Sequence, residues 1–133
     1  MLGEFFAAQP SEIDDLLDEG PSGRATVEAK TVSSVSIATL GEVLGVGTYD
    51  DLFERIEGPQ AESGESGIDR VPEEMRDALA SSPDPDSIAD RWGATDELAE
   101  WQPADVREVV RELARLAQEA RQQEAQLWFW WAV

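Results

Sequence analysis

The hydrophobic and polar positions of this chain change period several times, and each change marks an element. Residues 1–8, MLGEFFAA, form a short apolar run that reads as a β-strand or an anchoring arm, ended by Gln9-Pro10-Ser11. Ser11, with Asp14 three residues on, has the spacing of a capping box. It opens a short helix from Glu12 to Glu19, with Ile13, Leu16 and Leu17 on one face and Gly20 as its stop. Beyond the Gly20-Pro21-Ser22-Gly23 loop, Ala25, Val27 and Ala29 alternate weakly with Thr26, Glu28 and Lys30, the pattern of an edge strand. Helical spacing returns near Ser36 through Ile37, Leu40, Val43 and Leu44 and closes at Gly45. Tyr49 to Ile56 is a further turn or two, with Asp50 and Asp51 near its start, where an acid suits the helix dipole.

Residues 57–70, EGPQAESGESGIDR, have no hydrophobic face and are read as a mobile loop. Three helices then open on a proline, whose missing N–H costs nothing in the first turn. The first, from Pro72, uses Met75, Ala78 and Leu79; the second, from Pro85 behind Asp84, uses Ile88, Ala89 and Trp92 and breaks near Gly93. A brief turn over Thr95 to Trp101 leads to the third, from Pro103 to about Glu124. There Val106, Val109, Val110, Leu113, Leu116, Ala117 and Ala120 form one buried stripe. Glu108–Arg111, Glu112–Arg115 and Arg115–Glu119 are spaced to pair along its outer side. The final run, Gln126 to Val133, reads as a strand, with Leu127, Phe129, Trp131 and Val133 on one face and Trp128 and Trp130 on the other. A strand apolar on both faces belongs in the middle of a sheet. The pattern as a whole predicts one α+β domain over residues 1–133, mostly helical, with a small sheet that includes the C-terminal strand.

Composition supports a folded domain: 133 residues, 41% of them hydrophobic and with five Trp, supply enough material for one core. The opening residues carry neither a basic stretch nor a long apolar run, so a secretory signal is not expected. No segment approaches the length of a membrane span. The expected location is the cytoplasm. The net charge of −19 disfavours contact with nucleic acid or anionic membranes. Lys30 is the lone lysine among ten basic residues, and salt adaptation or high-GC coding accounts for such an acid-rich, lysine-poor composition as readily as a functional reason does.

The chemistry open to the chain is narrow. With no His and no Cys, the Ser/His/Asp and Cys/His constellations are excluded, and only oxygen ligands remain for a metal. Gly41, Gly45 and Gly47 lack the spacing of a phosphate-binding loop, and no EF-hand pattern is present. No cofactor is expected. Asp14 with Asp18, and Asp50 with Asp51 and Glu54, could bind a divalent cation weakly, but each set also reads as a solvated helix face. Ser33, Ser34 and Ser36 read as a helix entry, and Lys30 as a surface residue. Trp92 and Trp101 read as core. Trp128, Trp130 and Trp131 read as core or, at a free sheet edge, as a partner interface.

Three features resemble the YfbM-like family of bacterial proteins. They are Phe5-Phe6 through Pro10-Ser11-Glu12-Ile13 to Leu16-Leu17, Ser34-Val35-Ser36-Ile37 leading into Leu40 and Val43-Leu44-Gly45-Val46-Gly47, and the Ala/Arg-rich helix before the final strand. The resemblance lies in the order of elements, and Ala38-Thr39 and Gly41-Glu42 depart from that family's central helix. It implies a compact α+β fold and carries over no functional residue.

Together these readings point to a non-catalytic interaction module, immunity-type or inhibitor-like, that meets a basic protein partner. The expected contact residues are Trp128, Trp130, Asp14, Asp15, Asp18, Asp50 and Asp51, with a homodimer through the C-terminal strand as a further expectation. The competing readings are a halophile-adapted domain, a nucleic-acid mimic and a small enzyme using carboxylates alone.

Overall fold

A computed structural model describes residues 2–21 and 23–133. Among these residues there are six helices and one four-stranded antiparallel sheet, the α+β arrangement expected. The strands are β1 (Leu2–Ala8), β2 (Thr26–Glu28), β3 (Ser66–Val71) and β4 (Gln126–Ala132), in the spatial order β2-β1-β4-β3. The helices are α1 (Ile13–Leu16), α2 (Ser34–Leu44), α3 (Tyr49–Ile56), α4 (Glu73–Ala80), α5 (Pro85–Gly93) and α6 (Pro103–Gln122).

β4 lies between β1 and β3 and pairs along its length with both, from Leu2↔Ala132 to Ala8↔Gln126 on one side and from Ser66↔Ala132 to Val71↔Leu127 on the other. Its two apolar faces are therefore both covered. Leu127 and Phe129 join Phe5, Val27 and Val71 in the main core, closed by α2 to α6. Trp128 and Trp130 join Phe6, Ala8 and Ile68 in a smaller cluster, closed by Ile13, Leu16 and Leu17 of the N-terminal segment. The Leu17 carbonyl accepts from both Ser66 Oγ (2.8 Å) and Trp130 Nε1 (3.2 Å), which pins that segment to the second face.

Local chemistry accounts for most boundaries. Gly45 ends α2 in the left-handed conformation, φ 77°, which a side chain would strain. Thr48 Oγ1 accepts from the Asp51 N–H, and Asp84 Oδ1 from the Ser87 N–H, to start α3 and α5. Pro72 stands one residue before α4 rather than inside it. The first helix is shorter than its spacing predicts, a 3-10 turn over Pro10–Glu12 followed by four α residues. Its cap is Gln9, whose N–H donates to Glu12 Oε1, and not Ser11.

Two further expectations are corrected. The 57–70 segment is not all loop: residues 66–71 form β3, and Pro59 and Ala61 bond back to Ile68 and Ser66 across its outer edge. On α6, Arg111 is taken by Asp86 (2.8 and 2.7 Å) and Arg107 by Asp90 (2.8 and 2.8 Å), both bidentate bonds to α5. A planar guanidinium fork facing a carboxylate on the next helix has better geometry than a partner along its own helix.

Arg76 of α4 is the buried cation of the core. Its Nη1 donates to the Ala125 carbonyl (2.9 Å) just before β4, and Asp77 and Glu73 take its other N–H groups. Because Trp128 is 4% exposed and bonds the Ala8 carbonyl through Nε1 (3.0 Å), Trp128→Ala should empty a space and orphan an acceptor. The expected loss is about 3–5 kcal/mol, read from urea unfolding; a loss under about 1 kcal/mol means that the smaller cluster does not hold the sheet.

Candidate functional site

The sequence-predicted contact residues do not meet. Trp128 and Trp130 are 4% and 9% exposed, and each spends its indole N–H on a main-chain carbonyl. They are core residues, which corrects the expectation that they reach a partner. The reason is topological: β4 is hydrogen-bonded on both sides, so it offers no free edge for a partner strand or for a second copy. Asp14, Asp15 and Asp18 are exposed on the segment covering the second face of the sheet. Asp50 and Asp51 are exposed on the first turn of α3, whose Leu52 and Ile56 enter the main core. The two acidic sets therefore sit on opposite sides of the sheet. Lys30 is a surface residue facing Glu28 at 3.8 Å.

The indole N–H groups locate a different place. Trp92 donates to the Ser36 carbonyl (2.9 Å), and Trp101 to Thr31 Oγ1 (3.1 Å). With Trp128 and Trp130 also committed to carbonyls, the fifth is the exception, since the Trp131 indole faces the carboxylate of Asp69. Trp131 leans from β4 across Gly67 of β3, so closely that a Cβ there would lie 2.5 Å from its ring. Gly67 is what lets the indole lie flat and reach the neighbouring acid.

Asp69 is 7% exposed and sits on the helix-covered side of β3, paired with Phe129. Burial penalises its charge and lifts its pKa from 3.8 to about 6. The Gly58 amide N–H and the Trp131 indole oppose that shift by stabilising the anion, and the negative charge of Glu57 adds to it. Desolvation wins. A cleft of about 230 Å³ opens beside these groups, lined by Ser33 and Ser34 at the start of α2, Glu57 at the end of α3, Gln60, Asp69, Trp131 and Val133. Among the described residues, no lysine or arginine lines it.

A buried acid with a displaced pKa in a cleft is a candidate functional site, because groups that bind or react are the ones whose charge the surroundings are arranged to tune. Among the described residues no three acids stand close enough to hold a metal ion. The arrangement is suited to meeting a positive charge: one carboxyl at the floor, a second at the rim, hydroxyl and amide acceptors around them, and an aromatic ring alongside.

Sequence reasoning missed Asp69 because it fell inside a stretch read as loop. No alternation of apolar and polar residues marks the strand: Gly67, Asp69 and Val71 share one face and Ile68 and Arg70 the other, and each face mixes the two kinds.

An acid whose pKa is raised by folding favours the folded state when protonated, so its contribution is present at low pH and is lost as pH rises toward and through about 6. The lift from 3.8 to about 6 corresponds to about 3 kcal/mol. Asp69→Asn should accordingly exceed the wild type in stability by up to about 3 kcal/mol near pH 7.5, with the advantage vanishing near pH 4. Urea unfolding across this range checks it, and a difference that does not change with pH shows a carboxyl already charged and solvated.

No family model, curated protein or solved structure matches the chain.

Proposed function

We propose that this protein is a non-catalytic recognition module for a basic protein partner, of the immunity or inhibitor type. The observation that carries this reading is the line of carboxylates along α3. Asp50 and Glu54 stand at i and i+4 on the exposed side of α3, and Glu57, the exposed residue that caps its C-terminal end, is the rim of the Asp69 cleft. Six of the ten basic side chains pair with acids within the fold: Arg24 with Glu12, Lys30 with Glu28, Arg55 with Glu74, Arg76 with Glu73 and Asp77, Arg107 with Asp90 and Arg111 with Asp86. The acidic surplus is thus left to the outer surface. Its field would steer a cation-rich surface toward the stripe.

The separation of the acidic sets onto opposite sides of the sheet favours this reading over a nucleic-acid mimic, which needs an ordered double row on one face. A carboxylate enzyme would need two acids with opposed titration in one cleft. Here the raised acid is Asp69, and the acids held low, Glu12, Glu74, Asp86 and Asp90, lie outside its cleft.

The test is association with a basic chain recovered in stoichiometric amount from native lysate, then measured with the purified pair. The association rate should fall steeply with added salt. Neutralising the stripe (Asp50→Asn, Glu54→Gln, Glu57→Gln) should slow it by about tenfold or more, with a smaller effect on dissociation. An association rate indifferent to salt and to those substitutions overturns the proposal.

A further inference from the structure

The cleft beside Asp69 has a more definite chemistry than the acidic surface around it. We infer that it is an anchor pocket for one arginine side chain of the partner, with the guanidinium held between Asp69 and Glu57 and laid against Trp131. This rests on the reading of the protein as a module for a basic partner.

Size is the first argument. A volume of about 230 Å³ falls below the roughly 300–1,000 Å³ of sites that enclose drug-sized ligands, and it suits a single side chain. Charge is the second. Among the described residues the lining holds the side-chain carboxyl groups of Asp69 and Glu57 and no lysine or arginine, so an anionic group would be repelled and a cation drawn in. The third is the number of acceptors. A guanidinium carries five N–H donors in a rigid plane, and the cleft offers the carboxylates of Asp69 and Glu57, the hydroxyls of Ser33 and Ser34 and the amide oxygen of Gln60.

Trp131 separates arginine from other cations. Its ring lies along the cleft, and a guanidinium is planar and weakly hydrated, so it stacks on an aromatic surface where a compact ammonium keeps its water. A calcium ion needs six to eight oxygen ligands, more than two carboxylates supply. Ser33 is free for this role: it occupies the N-cap position of α2 without a capping bond from its side chain.

The pocket also carries its own pH dependence. Glu57 is the charged group acting on Asp69, while Ser33 and Ser34 of α2 and Trp131 of β4 are neutral. The guanidinium needs Asp69 ionised, so below about pH 6 the proton that the empty pocket keeps must leave on binding. Affinity should hold above pH 6 and fall by up to tenfold for each pH step below it.

The experiment uses N-acetylarginine amide as the probe, followed through the five indole N–H resonances of the full chain at physiological ionic strength. The Trp131 signal is assigned by its loss in Trp131→Phe, and the other four serve as internal controls. A saturable shift confined to Trp131 is expected, absent with the neutral isostere N-acetylcitrulline amide, and weakened about tenfold or more in both Asp69→Asn and Glu57→Gln. An equal response to the citrulline compound overturns the pocket, as does a shift that survives both substitutions or spreads evenly over the indoles. If Trp131 does not respond while partner association still depends on the α3 stripe, the pocket falls and the module stands. If the partner is also indifferent to the stripe, both fall.

Discussion

Everything else in this fold is arranged around a strand that is apolar on both faces and bonded along both edges. β4 brings Leu127 and Phe129 to one side and Trp128 and Trp130 to the other. A sheet with such a strand at its centre needs two covers of unequal weight. Five helices supply the heavier one. The lighter is a 3-10 turn and one short helix held by Ile13, Leu16 and Leu17, and the paired donation of Ser66 and Trp130 to the Leu17 carbonyl secures it. A segment so short would have little helical stability alone, since isolated helices of this length do not persist in water. It is ordered by what it covers.

The same arrangement explains where a polar site can exist. Across most of the sheet, apolar side chains leave no room for a charge. At the end of β3, Gly67 gives up its side-chain volume to Trp131, and Asp69 takes a position that in a neighbouring strand belongs to Phe129. An acid there is costly, and the fold offsets part of that cost with the Gly58 amide and the indole N–H. The buried Arg76 is treated differently: its guanidinium finds a carbonyl and two carboxylates and acts as a clasp between α4 and the approach to β4. One buried charge is fully satisfied, and the other is left partly in need of a counter-ion.

Much of this architecture was legible in the sequence where local chemistry decides it. Pro85 and Pro103 open their helices, Gly45 closes α2, and the apolar stripe from Val106 to Ala120 is the buried face of α6. The two faces of the terminal strand were also readable from alternation alone. The site was less so, for a physical reason. β3 is built from Ser66, Gly67, Asp69 and Arg70, residues of low strand propensity, and its pairing is imposed by β4. Trp128 and Trp130 misled because a bulky aromatic looks the same in sequence whether it packs inward or waits for a partner. Arg111 misled because its partner, Asp86, lies on another helix.

The register Leu2↔Ala132 has a kinetic meaning as well as a structural one. The central ladder joins positions separated by nearly the whole chain, and β3 can pair only with the strand that this ladder brings in. Each local helix can form and dissolve on its own, but none finds its covering surface until a loop of this length has closed. Such a topology has high contact order and folds slowly for its size. It also leaves no half of the molecule with a complete core. Opening is therefore expected to be cooperative, with amides in β1, β3 and β4 exchanging together in one slow event rather than strand by strand.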